Sequence, residues 1–281
     1  MRPERQVAGC GFDSPVAQDW ETFLAWAGAE GWRVPAQELT LYRGEMADSA
    51  FVLRAAAGEP LGFVTVCQHQ RSAWIGNLIV APERRGEGLG RRLFQHAVEV
   101  LTGRGAAGLW LTASAAGLPL YASNGFREVG RIERWVGKGS GAAPFRAIPS
   151  GGALHPLARA DAAAWGDSRA ALLTRLARGG QIFKSNGTIA LLQAGDGLRV
   201  LGPWLSADLC PRSNRSVLAA VLDFCDCGEI AVDLIGGSPV RALLAASGFR
   251  QAGETVLMLC GEAGAMKRAE VVALASLGSM G

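Results

Sequence analysis

Two short stretches hold the residue types best suited to chemistry. VAPERRGEGLGRRL, residues 80–93, sets three glycines and four arginines between a strand-like segment and a helix-like one. LPLYASNGF, residues 118–126, carries Tyr121, one of two tyrosines in the chain. A strand that feeds a glycine-rich turn into a helix N-terminus is a general anion site. The N–H groups of the first turn lack intrahelical partners, and the helix dipole adds roughly 0.3–1 kcal/mol of attraction. Gly86, Gly88 and Gly90 let the backbone approach a phosphate where a Cβ would intrude. Arg85 belongs with the turn, whereas Arg84 and Arg92 fit a solvated helix start.

Two familiar phosphate motifs are excluded. There is no GxxxxGK[ST], hence neither the lysine nor the hydroxyl that a nucleoside triphosphate with Mg²⁺ requires. GEGLGRR does not match GxGxxG, and no ribose-binding acid follows in a strand–helix–strand unit, which argues against a dinucleotide fold.

The elements that must position these residues mix helices and strands. AQDWETFLAWAGAEGW spaces Trp20, Phe23, Leu24 and Trp26 along one helical face. FVLRAAAGEPLGFVTVCQHQ reads as two strands about a turn, and AWIGNLIVAP as a third. Behind the glycine turn, Leu89, Leu93, Phe94, Ala97, Val100 and Leu101 form an amphipathic stripe. GLWLTAS is a buried strand, LPLYASNGF a short helix with its stop, and REVGRIERWVG a last strand or pair. The crossover over 75–114 makes this an α/β or α+β domain with a mixed sheet.

GKGSGAAPFRAIPSGG, over about 137–153, is rich in Gly, Ser and Pro and reads as a linker. Beyond it the order repeats: the helix ADAAAWGDSRAALLTRLARGG, the strands QIFKSNG, TIALLQAG and LRVLGPWL, a helix around SVLAAVLDF, EIAVDLI, the helix SPVRALLAASGF and the strand ETVLMLCG. VRALLAASGF echoes LPLYASNGF, and LRVLGP echoes NLIVAP, which aligns Pro203 with Pro82. The expected division is a first domain at 1–140, a linker at 141–153, a degenerate second domain at 154–264 and a tail or helix at 265–281.

Composition bounds the partners. The net charge of +3 is too small for a nucleic-acid binder, and no apolar run approaches the ~20 residues that cross a bilayer. The basic N-terminus lacks the apolar core of a secretory signal. The six scattered cysteines sit mostly in apolar surroundings, the usage of a reducing, cytoplasmic compartment. Cys225 and Cys227 have no second Cys or His pair to complete a tetrahedral site, so no metal is expected.

R-x-x-G-x-G at Arg85, Gly88 and Gly90, preceded by V-x-P at Val80–Pro82 and followed by L-Y-x-x-x-G-F at Leu120–Phe126, resembles the GCN5-related N-acetyltransferase (GNAT) superfamily. The resemblance spans roughly residues 40–135. The echo beyond it is similar to tandem acyltransferases with a degenerate second domain of the same fold. The resemblance implies acetyl-CoA as cosubstrate and direct attack of an amine in a ternary complex. The backbone of Leu78, Ile79 and Val80 would pair with the pantetheine arm. The amides of Gly86, Glu87, Gly88, Leu89, Gly90 and Arg91 would hold the pyrophosphate. Ser114 stands where the family often has an asparagine on the cofactor. The Val80 N–H would polarise the thioester carbonyl, and Tyr121 would protonate the departing thiolate.

The resemblance leaves the proton acceptor open. Leu109 stands where a glutamate would, and Glu45, Asp48 and His69 remain as candidates, beside a relay of water. The second half has PWLSADLCPRSNRS in place of the glycine turn and Leu244 in place of Tyr121, which implies that it binds no acetyl-CoA. A small-molecule primary amine is the expected acceptor. A protein or peptide amine, and a non-catalytic acyl-CoA sensor, are the alternatives. Nothing in the pattern separates a monomer from a homodimer.

Overall fold

The computed structural model describes residues 9–140, 151–225, 228–262, 264 and 266–281. Most of the expected linker, and Cys227, lie outside them. In the first half β1 (Gly11–Asp13), α1 (Ala17–Ala29) and α2 (Ala36–Arg43) precede β2 (Ala50–Arg54), β3 (Pro60–Gln68) and β4 (Ser72–Val80). Then come α3 (Leu89–Gly103), β5 (Gly108–Ala113), α4 (Leu118–Ala122) and β6 (Arg127–Lys138). The second half runs α5 (Gly151–Trp165), α6 (Ala170–Leu176), β7 (Gln181–Ser185), β8 (Thr188–Leu192), β9 (Leu198–Ser206), α7 (Pro211–Phe224), β10 (Glu229–Ile235), α8 (Val240–Ala246) and β11 (Arg250–Gly261), with β12 (Val271–Ala273) in the tail.

The twelve strands among the described residues form one mixed sheet in the order β1-β2-β3-β4-β5-β11-β6-β10-β12-β9-β8-β7. The two halves exchange their last long strands. β11 pairs antiparallel with β5 of the first half, and β6 pairs antiparallel with β10 of the second. β6 and β11 also pair with each other along most of their length, which joins the halves through continuous backbone hydrogen bonding.

Period-two patterning assigns the faces. On β2 to β5, Val52, Phe63, Cys67, Trp74 and Trp110 point to the core under α1, α2, α5 and α6. Leu53, Val64, Val66, Ala73, Ile75, Leu109 and Leu111 point the other way, under α3 and α4. The α3 stripe is the expected one, with Leu89, Leu93, Phe94, Ala97 and Leu101 buried. Trp165 of α5 packs on Trp110 and Trp74 at centroid distances of 5.1 and 6.2 Å. Replacing one of these tryptophans by Ala would cost about 3–5 kcal/mol.

The structure departs from the sequence expectations in four places. α2 was not anticipated. The segment read as one helix from Ala160 is two, because Gly166 (φ +79°) ends α5 in the left-handed conformation that terminates helices. The tail, expected as tail or helix, contributes the strand β12. The ladders also realign the repeat: Ser72 pairs with Gly108 in β4–β5 and Leu198 with Glu229 in β9–β10, so Gly202 corresponds to Gly76 and Pro203 to Asn77, not to Pro82. Among the described residues, no helix is long and apolar enough to cross a membrane.

Candidate active site

The site begins where parallel pairing stops. β4 and β5 bond only from Ser72–Trp74 to Gly108–Trp110 and then separate. β4 also bulges: Phe63 faces Ile79 and Thr65 faces Gly76, so Asn77 and Leu78 together oppose Val64. Asn77 takes a left-handed φ of 51° there, a conformation that asparagine tolerates better than most residues. The bulge re-aims the Asn77 side chain and unpairs the backbone around Leu78 from a regular ladder.

A cavity of about 160 Å³ opens in this splay. Its walls include Trp32 and Val34 before α2, Glu38 on α2, Asn77 and Leu78 on β4, Thr112 and Ser114 at the end of β5, and Tyr121 on α4. Arg134 of β6, Thr255 of β11 and Leu277–Gly278 of the tail complete it, so both halves contribute.

Next to the splay, β4 feeds the glycine turn. Gly86 (φ +84°) and Gly88 (φ +82°) need glycine for conformation, and a Cβ on either would meet nothing within 4 Å. The space over this backbone is therefore open to a ligand. Gly88 is the N-cap of α3, no side chain caps the helix, and no acidic residue stands in its first turn. Glu87 does not oppose an anion, because Arg84 holds its carboxylate at 2.9 Å and lowers its pKa. Arg85 is pinned to Glu30 at 2.7 Å, tying the turn to the residue that follows α1. Arg92 donates to the Cys10 carbonyl and lies over Phe12.

Tyr121 is 8% exposed and packs beside Phe94 and Phe126. Burial pushes its phenol up to about 12, which keeps it protonated at neutral pH. Gly117 makes room for its ring, since a Cβ there would sit 3.0 Å from it. The Ser114 hydroxyl accepts the Gly117 N–H at 3.3 Å.

The three expected proton acceptors lie elsewhere. Glu45 is on the surface, bonded to Arg178 and 3.4 Å from Arg175, and the Arg178 hydrogen bond lowers its pKa. Asp48 is exposed and 3.6 Å from Arg104. His69 precedes Ser72, at the end of β4 opposite the bulge, and lines a separate cavity with Ser168–Leu172. Burial, and then the Arg169 charge, lower its pKa to about 3, so it stays neutral. None of the three is among the residues that line the cavity.

Sequence reasoning missed Glu38. It is 5% exposed, its Oε1 accepts from Asn77 Nδ2 at 2.7 Å, and its Oε2 accepts from Ser279 Oγ at 2.6 Å. Burial raises its pKa above the usual carboxylate value, against smaller opposing effects of these hydrogen bonds and Arg134. The available signal was Pro35 at a helix start with an acid in the first turn.

The second half has a matching splay with different contents. β9 and β10 bond in parallel from Leu198–Val200 to Glu229–Ala231 and then part. β12 fills the gap, pairing with Leu234 on one side and with Trp204 and Leu205 on the other. Leu244, the counterpart of Tyr121, is fully buried. Among the described residues, no group of three or more His, Cys, Asp or Glu could hold a metal ion.

Residues 47–128 match the Acetyltransferase (GNAT) domain. Streptothricin acetyltransferase of Streptomyces lavendulae is 40% identical over 93 residues, 31% of this chain and 47% of that protein. The [ribosomal protein bS18]-alanine N-acetyltransferase of Escherichia coli K12 is 42% identical over 59 residues, 20% of this chain and 40% of that protein. The chain thus spans less than half the length of these curated relatives. A solved Pyrococcus horikoshii structure superposes with a TM-score of 0.77 at 19% identity, covering 98% of this chain and 96% of its own. A tandem GNAT protein from the clavulanic acid biosynthesis pathway gives 0.57 at 16% identity, covering 90% and 98%. At these identities the structures establish the fold alone, one shared with solved acetyltransferases that include a tandem GNAT protein.

Proposed function

For a chain that carries a GNAT acetyltransferase domain at residues 47–128, we propose the activity of an acetyl-CoA-dependent N-acetyltransferase acting on the primary amine of a small molecule. The observation that carries this reading is the splay between β4 and β5, with a glycine turn at one side and Tyr121 in its wall. Acetyl-CoA supplies an acyl thioester. In this reading the amides of Gly86–Arg91 bind its pyrophosphate, and the open space over Gly86 and Gly88 supports that role. The backbone of Leu78, Ile79 and Val80 pairs with the pantetheine arm. A backbone N–H of this stretch, Val80 by resemblance, donates to the thioester carbonyl as charge develops on it.

Tyr121 donates its phenolic proton toward the departing sulfur. A free thiol of pKa ~8.5 leaves readily as thiolate, so the phenol assists by hydrogen bonding within a desolvated wall before the proton moves. Ser114 adds a polar group at the mouth. The second half supplies walls but no cosubstrate site, a role supported by β12 in its splay and Leu244 in place of a phenol. Free cysteines, five of them among the described residues, suit a reducing compartment such as the cytoplasm.

A cavity of about 160 Å³ favours a small acceptor. The match to an enzyme acting on a ribosomal protein keeps a peptide N-terminus as the second reading. Free-thiol release from acetyl-CoA over a panel of small amines and N-terminal peptides tests both. Turnover of peptides alone would reverse their order.

A further inference from the structure

The acetyl-transfer reading leaves one step without a group. An alkylamine of pKa ~10.4 is neutral about once in a thousand at pH 7, and only the neutral form has a lone pair for attack. Something in the cavity must take its proton.

Glu38 is placed to do so. Glu38 lines the same cavity as Leu78, Thr112 and Tyr121. Its two hydrogen bonds come from elements far apart in sequence, Asn77 in the β4 bulge and Ser279 in the tail. Each oxygen accepts one of them and keeps a second lone-pair site. The left-handed Asn77 backbone, in the same bulge that frees Leu78, fixes the carboxylate and the acyl-binding strand relative to each other.

We propose that Glu38 docks the acceptor as an ammonium ion and then removes its proton, which makes primary aliphatic amines, cationic in water, the substrate class of this cavity. The proposal rests on the acetyl-transfer reading above. In the step, one N–H bond breaks and the proton passes to a Glu38 oxygen. The nitrogen lone pair forms the new bond to the acyl carbon, and the C–S pair leaves with sulfur. The sulfur takes a proton from Tyr121. The second proton lost as the amide forms goes to the tyrosinate or to water, and Glu38 releases its own to solvent.

The surroundings suit a base stronger than a surface carboxylate. Arg134 on β6 acts on Glu38 as a positive charge, but Asp233 on β10 holds it with two 2.7 Å hydrogen bonds. Arg33, at the cavity edge, is held by Glu229 at 2.6 Å. Tyr42 on the same helix and Cys67 on β3 are both pushed up by burial and stay neutral, as does Tyr121. Burial raises Glu38 within this set.

The test compares the whole wild-type chain with Glu38→Gln and Ser279→Ala. Thiol release is followed with n-butylamine, benzylamine, lysine and spermidine from pH 6 to 10, and acetyl-CoA affinity is measured by calorimetry. Glu38→Gln should lower kcat/KM for the amine by about 10²–10⁴-fold at pH 7. Its acetyl-CoA affinity should hold, and the deficit should shrink about tenfold per pH unit as the amine deprotonates unaided. Ser279→Ala, which only positions the carboxylate, should lose less and keep the wild-type profile. A Glu38→Gln profile parallel to wild type, at any level, overturns the proposal, as does loss of acetyl-CoA binding in that variant, which would make Glu38 structural. Wild-type protein that binds acetyl-CoA and acetylates none of these amines overturns the acetyl-transfer reading for aliphatic amines, and this proposal with it.

Discussion

Gly76 and Ser279 lie so close that a Cβ on Gly76 would sit 2.3 Å from the Ser279 carbonyl oxygen. The corresponding glycine of the second half, Gly202, bears the same relation to the Leu274 carbonyl, so the tail crosses both splays over a glycine. Past the second crossing the tail holds the first site together. The Gly278 carbonyl accepts from Trp74 Nε1 at 3.0 Å and Thr112 Oγ1 at 3.3 Å, and Leu277 O accepts from Arg134.

Gly76→Ala should therefore push the tail off β4. The clash is with backbone and not with a pliant side-chain end, so destabilisation of about 1–3 kcal/mol is expected, within the range for overpacking. Thermal or urea unfolding reads this. The acceptor KM should rise while acetyl-CoA affinity changes little, because the tail walls the acceptor side.

Gly88→Asp and Gly88→Asn form a matched pair. Both side chains tolerate the left-handed conformation better than most, so the difference between them isolates charge. The Asp variant should bind acetyl-CoA at least about tenfold more weakly than the Asn variant, about 1.4 kcal/mol. Calorimetry at low salt checks this, and equal affinities would remove the phosphate from this turn.

Tyr121→Phe keeps the packing on Phe94 and Phe126 and removes the proton. It should lower kcat by about 10²-fold or more with a nearly unchanged acetyl-CoA Kd. Unchanged kcat would leave Tyr121 a packing residue.

Glu38 should make stability depend on pH. Its folded pKa is raised above the ordinary 4.5, so the folded state binds the extra proton. Its favourable contribution is complete below 4.5 and is lost as pH rises through the folded value. Glu38→Gln should accordingly gain stability relative to wild type as pH climbs from 4 toward neutrality. Melting curves of both proteins across that range measure it.

The two motifs and the repeated element order were legible because they are local. A glycine turn between a strand and a helix, and a tyrosine in a short helix, carry their meaning within about fifteen residues. Glu38 was not legible. It sits in a short helix, and its partners Asn77 and Ser279 are 39 and 241 residues away. Glu45 and His69 were plausible by type, but Arg178 claims one and burial beside Arg169 silences the other. The exchange of β6 and β11 could not be read either, since a strand's own pattern fits either half. The tail read as an appendage because its burial, from Val271 to Met280, depends on splays formed by distant strands.

The proposed reaction is acyl transfer from acetyl-CoA in the first half of the chain. Time courses of thiol release by the wild-type protein, with and without each amine, test it most directly. Release should depend on the amine, with stoichiometric N-acetylated product, and should be lost in Gly88→Asp and strongly slowed in Tyr121→Phe. Acetyl-CoA binding without release on any small amine or peptide would contradict it and make the chain a sensor.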